Sequence, residues 1–415
     1  MSREQRQGWL AMAGCFTLLF LGNGPFVGSS GVFLVPLVRS FHSSHAHVAR
    51  VVTASLLTMG LFSLAAGWLV DWVGARLVMS LGVLAYALGY WGASSAHSLR
   101  WVTYFYAVAG VGAAFAGRVP IMVVAVNWFK ERSGTASGLA MFGNSWGMTL
   151  APLVVAWLIT SYGWRVAMRG LALPLLLIGF PLCVSLIRTR PSQGQVKSAA
   201  EQLSSLAGLE LRPALCTLTF WLLMIAELLF SAANAGVLYH MAIYEVGLGY
   251  GLQTAARMLS LMTIVGGVGV AAAGWLADRL GVKQLQIVTM LLMATGILSL
   301  MSASNRHIGL WGVAGCSLLY GTGGASQVTL LPILVAQTLG LRRMGSLTGI
   351  IVFLATLASA FGPILSGWIF DRSGSYLPAF ALCSLLAISA ALAISQVRAV
   401  EGHNRTMEAT FPATL

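Results

Sequence analysis

Apolar residues fall in long runs along this chain, and the polar residues between them are confined to short gaps. A helix needs ~20 apolar residues to cross the hydrocarbon of a bilayer. Runs of that length lie near 9–38, 47–70, 77–96, 101–128, 135–159 and 166–187, and again near 214–243, 254–277, 284–303, 308–336, 345–370 and 376–396. One long polar gap, 188–213, separates the two sets and holds Arg188, Arg190, Lys197, Glu201, Glu210 and Arg212. The pattern predicts an all-α membrane protein of 12 transmembrane helices. Residues 1–187 form one six-helix bundle, 188–213 a linker, 214–398 a second six-helix bundle and 399–415 a tail. Arg3 and Arg6 ahead of the first run imitate a secretory signal. The run continues from Trp9 beyond Val35 without a small-residue cleavage site, so it reads as the first spanning helix.

Composition agrees with that pattern and removes other classes. The 415 residues are 58% hydrophobic and 8% charged, with a mean hydropathy of +0.83. A soluble domain carries roughly 25% charged residues, so lipid rather than water covers most of this surface. The net charge of +13 raises the question of nucleic acid, but the cations sit in the gaps and form no basic face. With the N-terminus inside, the inner segments hold most of the basic residues, including every lysine (Lys130, Lys197 and Lys283). Both termini are therefore expected in the cytoplasm. The five cysteines stand singly in apolar stretches, without metal or redox spacing.

An internal repeat orders the two halves. Gly67-Trp68-Leu69-Val70-Asp71-Trp72-Val73-Gly74 returns as Gly274-Trp275-Leu276-Ala277-Asp278-Arg279-Leu280-Gly281, offset by 207. Arg132 to Gly138 returns as Arg343 to Gly349, and Trp157 to Gly163 as Trp368 to Gly374, both offset by 211. Parallel six-helix repeats of this kind place a central pathway between two halves that rock against each other.

The two aspartate loops carry a family likeness. Gly67-x-x-x-Asp71-x-x-Gly74-x-Arg76 resembles the signature between the second and third helices of major facilitator superfamily transporters, and Asp278, Arg279 and Lys283 resemble its second copy. Apart from the likeness, an aspartate at a helix end can pair with a cation or with a neighbouring helix N-terminus. Asp71, Arg76, Asp278 and Arg279 are expected to form a conformational latch, against the plainer reading of an ordinary polar turn. Ser30-Gly31-Val32-Phe33-Leu34-Val35-Pro36-Leu37, Asn127 to Gly134, Gly163-Trp164-Arg165, and His240 followed by Gly247 resemble the bacterial monocarboxylate and oxalate/formate carrier branch. The resemblance implies secondary transport of a small organic anion across a bacterial inner (plasma) membrane, driven by an ion gradient without a cofactor. The implied fold is compatible with a chain that works as a monomer. One departure is plain: that branch places an arginine in helix eight, whereas Val265 to Ala273 here is Gly, Val and Ala throughout.

Charges inside the spans narrow the candidates, because each costs at least ~2.5 kcal/mol at the bilayer centre. Arg118, in Gly117-Arg118-Val119-Pro120, is the central basic residue of the fourth helix, and its planar fork matches a carboxylate. A structural arginine bound to helix carbonyls or to Glu227 is the alternative. Glu227 in the seventh helix suits a group that takes up and releases a proton, or a neutral acid bonded between helices. His240 titrates near neutrality and could gate, bind an anion or relay a proton. Asn23, Asn144, Tyr239, Tyr320 and Gln327 could line the pathway or bind neighbouring helices. His42, His45 and His47 have a spacing that could hold a metal, but no acid lies near them in sequence, and a solvated loop is the favoured reading. There is no Gly-Lys-Ser/Thr phosphate cradle, which disfavours ATP-driven transport. The competing function is a proton-driven exporter of amphipathic compounds. A membrane enzyme would need clustered His, Asp or Glu ligands, which the spans lack.

Overall fold

The computed structural model describes residues 3–129, 133–187, 210–304, 309–340 and 344–398. Most of the predicted linker and the whole tail lie outside the described residues. In chain order the long helices are α1 (Arg6–Phe41), α2 (His45–Val70), α3 (Ala75–Ser95), α4 (Leu99–Ala125), α5 (Gly138–Tyr162), α6 (Trp164–Leu186) and α7 (Leu218–Gly247). They continue as α8 (Leu252–Leu280), α9 (Val282–Ser302), α10 (Gly309–Leu339), α11 (Ser346–Ser373) and α12 (Leu377–Ser395). Ten of these are long and apolar enough to cross a membrane; α10, bent by 42° between Gln327 and Thr329, makes an eleventh. The remaining predicted span, 254–277, falls within α8. No β-strand forms among the described residues.

Local chemistry explains two irregularities that the apolar pattern does not carry. A π-turn interrupts α1 at Leu19–Asn23 and α6 at Leu175–Gly179, and each stands just before a proline. Pro25 and Pro181 have no N–H to donate back along the helix. The ladder shifts by one residue, so Gly24 N–H donates to the Leu19 carbonyl and Phe180 N–H to the Leu175 carbonyl. The repeat is visible in the backbone too. Gly74 (φ 87°) and Gly281 (φ 82°) make equivalent turns, as do Gly163 (φ 85°) and Gly374 (φ 70°). Residues with a Cβ rarely adopt such angles, so glycine is required at all four.

The chain divides into two compact units. The first gathers residues 1–191 with 235–264 and 360–379, which are parts of α7, α8 and α11 and the start of α12. In it α2 and α3 pack on α4, and α1 packs on α5. Gly110 lets α4 sit directly on the Ser55 carbonyl of α2, where any Cβ would clash, and Thr58 Oγ1 donates to the Ala107 carbonyl at 2.8 Å. Phe26, Tyr86, Tyr90 and Tyr106 form the buried aromatic core. Trp68, Trp72 and Trp101 point outward, as the lipid-facing side of a spanning helix requires.

The same unit is tied together at the end of the helices opposite the chain termini. The Asp371 carboxylate on α11 accepts the backbone N–H groups of His45 and Ala46, both at 2.9 Å, and so caps the start of α2. The His45 ring lies 3.6 Å from the same carboxylate. Thr53 Oγ1 donates to the Ala360 carbonyl at 2.6 Å, Ser260 Oγ to the Thr149 carbonyl at 2.6 Å, and Gln253 Nε2 to Thr160 Oγ1 at 3.4 Å. Gly31 admits α7 closely: a Cβ there would sit 3.0 Å from the Tyr239 carbonyl. The second unit holds 192–234, 265–359 and 380–415, with α9 packed on α10 through Gly296 against Tyr320 and Gly323 against Thr289.

Candidate functional site

Arg118 stands at a break. The first segment of α4 ends at Phe115, Ala116 and Gly117 turn, and a second segment runs Arg118–Trp128. Gly117 is extended, and a Cβ on it would collide with the Ala113 carbonyl, so the turn depends on glycine. Arg118 is the first residue of the new segment, and Pro120 follows where no N–H is needed. The side chain is exposed and makes no hydrogen bond or ion pair within its unit. A free guanidinium thus lies beside the unsatisfied N–H groups of a helix start, inside a membrane span. Those are the two features that hold an anion.

α7 is also broken, at Tyr239 and His240, between segments Leu218–Leu238 and Met241–Gly247. His240 is fully buried; its Nδ1 donates to the Gly236 carbonyl at 3.1 Å, and its Nε2 has no partner. Its ring lies 5.3 Å from that of Tyr376. Tyr239 is 4% exposed beside it. Sequence reasoning missed Glu245, five residues on, which is 1% exposed with both carboxyl oxygens lacking a donor. At the end of an apolar run an acid looks interfacial, and only packing reveals that it is sealed.

Asn23 and Asn144 are brought together in the first unit. Asn23 Nδ2 donates to Asn144 Oδ1 at 2.7 Å, and Tyr86 Oη donates to Asn23 Oδ1 at 3.3 Å. In the second unit Tyr320 Oη donates to Asn234 Oδ1 at 2.5 Å, and Gln327 Nε2 to Thr289 Oγ1 at 3.0 Å. Each pair joins two helices of one unit. Glu227, also in the second unit, is 8% exposed, and its Oε2 has no partner.

The side chains of Asp71 and Asp278 lie outside those described. Arg76 Nε donates to the Ile187 carbonyl at 3.0 Å, joining α3 to the end of α6, and Arg279 lies over the Trp275 ring at 4.1 Å. The aspartate that caps a helix among the described residues is Asp371, at the opposite end. His45 is no solvated loop residue. It opens α2, pairs with Asp371 and packs its ring 4.0 Å from that of Phe370. No cluster of three metal-ligating side chains occurs among the described residues.

A model of the Major Facilitator Superfamily matches residues 12–363. The chain belongs to that superfamily. Monocarboxylate transporter 12 of Mus musculus is 26% identical over 98% of this chain and 88% of its own length. The MFS-type transporter YcxA of Bacillus subtilis is 23% identical over 92% and 93%. Among solved structures, a D-xylose–proton symporter superposes with a TM-score of 0.74 at 17% identity over 95% of this chain and 98% of its own. A bacterial homologue of the lysosomal transporter Spinster superposes with 0.71 at 14% identity, over 96% of each chain. This superfamily member is therefore a multi-pass membrane transporter of a small-molecule substrate, and not an enzyme.

Proposed function

We propose that the protein carries a small organic anion, a monocarboxylate, across the membrane together with a proton, by alternating access between two six-helix halves. The observation that carries this reading is the unpaired Arg118 at the start of the second segment of α4. A carboxylate bound there gains a bidentate guanidinium and the partial positive charge of a helix N-terminus. Relatives named as monocarboxylate transporters support the substrate class. The cation-free stretch of α8, Val265 to Ala273, leaves Arg118 as the central residue able to take that role. His240 and Glu227, each with a buried atom lacking a partner, are the proton-coupling groups of the proposal. The positive-inside distribution supports cytoplasmic termini in a bacterial inner (plasma) membrane. A single chain suffices for the cycle.

Reconstituted into liposomes under an inward proton gradient, the wild type is expected to accumulate a labelled monocarboxylate. Arg118→Gln is expected to abolish uptake while the protein stays folded in the membrane. Uptake retained in that variant would sink the assignment. Failure of the wild type on every monocarboxylate, with efflux of amphipathic drugs instead, would favour the exporter reading, for which the absent α8 cation speaks.

A further inference from the structure

A cavity of ≈ 410 Å³ opens at the end of the first unit opposite the termini, away from Arg118 in the middle of α4. Its walls come from the end of α1, the last segment of α7 and the turn between α11 and α12. They are mostly apolar and aromatic. Val35 and Ile243 line it with Tyr244, Phe370 and Tyr376. The rings of Phe370 and Tyr376 stack at 4.3 Å, and Tyr244 meets Tyr376 edge-on at 6.1 Å, so the wall is a packed aromatic surface.

Two basic side chains reach this cavity, Arg39 and His45. His45 is already engaged with Asp371. Arg39 is exposed and makes no hydrogen bond or ion pair among the described residues. No acid on the surrounding elements forms an ion pair with it among the described residues. Asp371 is taken up by the start of α2, and Glu245 is sealed and does not line the space. The cavity therefore presents one guanidinium without an ion-pair partner beside an apolar, aromatic wall.

We infer that this cavity is a second binding site, for a monocarboxylate with an aromatic or branched apolar body, held by Arg39 through its carboxylate. Size and chemistry limit the ligand. Small-molecule sites run from about 300 to 1,000 Å³, so this one takes a one- or two-ring acid and not a nucleotide or peptide. One free cation favours a single carboxylate over a dicarboxylate. The site extends the anion reading of Arg118 to the rim of the unit and is read out without transport.

Photolabelling of the detergent-purified chain with 4-azidobenzoate, followed by peptide mapping, tests it. Adducts are expected within 243–248 or 370–376, suppressed by excess benzoate and retained in Arg118→Gln. Arg39→Gln is expected to lower them about tenfold, the effect of losing one charge-assisted hydrogen bond. Ser375→Trp, which fills the cavity and leaves Arg39 in place, is expected to block them, with the thermal unfolding midpoint reporting that the variant is folded. The inference is overturned if no adduct forms in those segments, or if the adducts survive Arg39→Gln. It is equally overturned if Arg118→Gln removes them as fully, or if phosphatidylglycerol displaces the probe and benzoate does not, which would make Arg39 a lipid contact. A wild type that transports no monocarboxylate would remove the proposal for Arg118 and leave this labelling pattern standing.

Discussion

Asn23 and Glu245 are opposite cases of a polar side chain buried in a bundle. Asn23 donates to Asn144 and accepts from Tyr86, so removing it leaves a buried acceptor bare. Asn23→Ala is expected to cost about 1–3 kcal/mol and to lower the unfolding midpoint in detergent. Glu245 has no donor at either oxygen. Replacing such a group by an apolar one of similar volume is expected to be neutral or stabilising by about 1 kcal/mol or more. Glu245→Met should therefore raise the midpoint, and a marked fall would show that the carboxyl is bound. Arg118 and Glu227 were legible in the sequence because a charge in the middle of an apolar run is conspicuous. Asp371 was not, because its partners His45 and Ala46 lie 326 and 325 residues away, and no local pattern joins them.

Between elements, the contact of α2 with α11 is held by a carboxylate on two backbone N–H groups. An acid at a helix start contributes about 0.5–2 kcal/mol through its bonds and the helix dipole. Asp371→Asn keeps the shape and removes the charge. In a Cys216→Ser background carrying Ser375→Cys, that change is expected to speed labelling by a membrane-impermeant maleimide about threefold, the equivalent of ~0.7 kcal/mol. An unchanged rate would show that the cap does not hold this end shut. Helix positions were legible from apolar run lengths. The breaks at Gly117 and at Tyr239–His240, and the π-turns before Pro25 and Pro181, were not, because hydropathy is blind to which carbonyl loses its donor. Those breaks place Arg118 and His240, so the residues of the site were visible while their geometry was hidden.

Over the whole molecule, the repeat read from the sequence reappears as matched left-handed glycines, 207 and 211 residues apart. If each half folds on its own hydrophobic pattern, residues 1–200 and 201–415 expressed as separate chains should reassemble and recover uptake in the liposome assay. Failure to co-purify would argue that the connection is needed for folding. The repeat also pairs two contacts at the end opposite the termini. An offset of 211 carries Thr160 onto Asp371, and 207 carries Ala46 onto Gln253, so the α5–α8 and α2–α11 seams are copies of one another. The copies have diverged in strength. At the matched positions one is a neutral bond of 3.4 Å and the other a carboxylate seated on two amides, although Ser260 also ties α8 to the Thr149 carbonyl of α5. If this end opens, the Gln253–Thr160 bond of the α5–α8 seam is expected to part before the Asp371 cap of the α2–α11 seam, because a charge-assisted contact costs more to break than a neutral one.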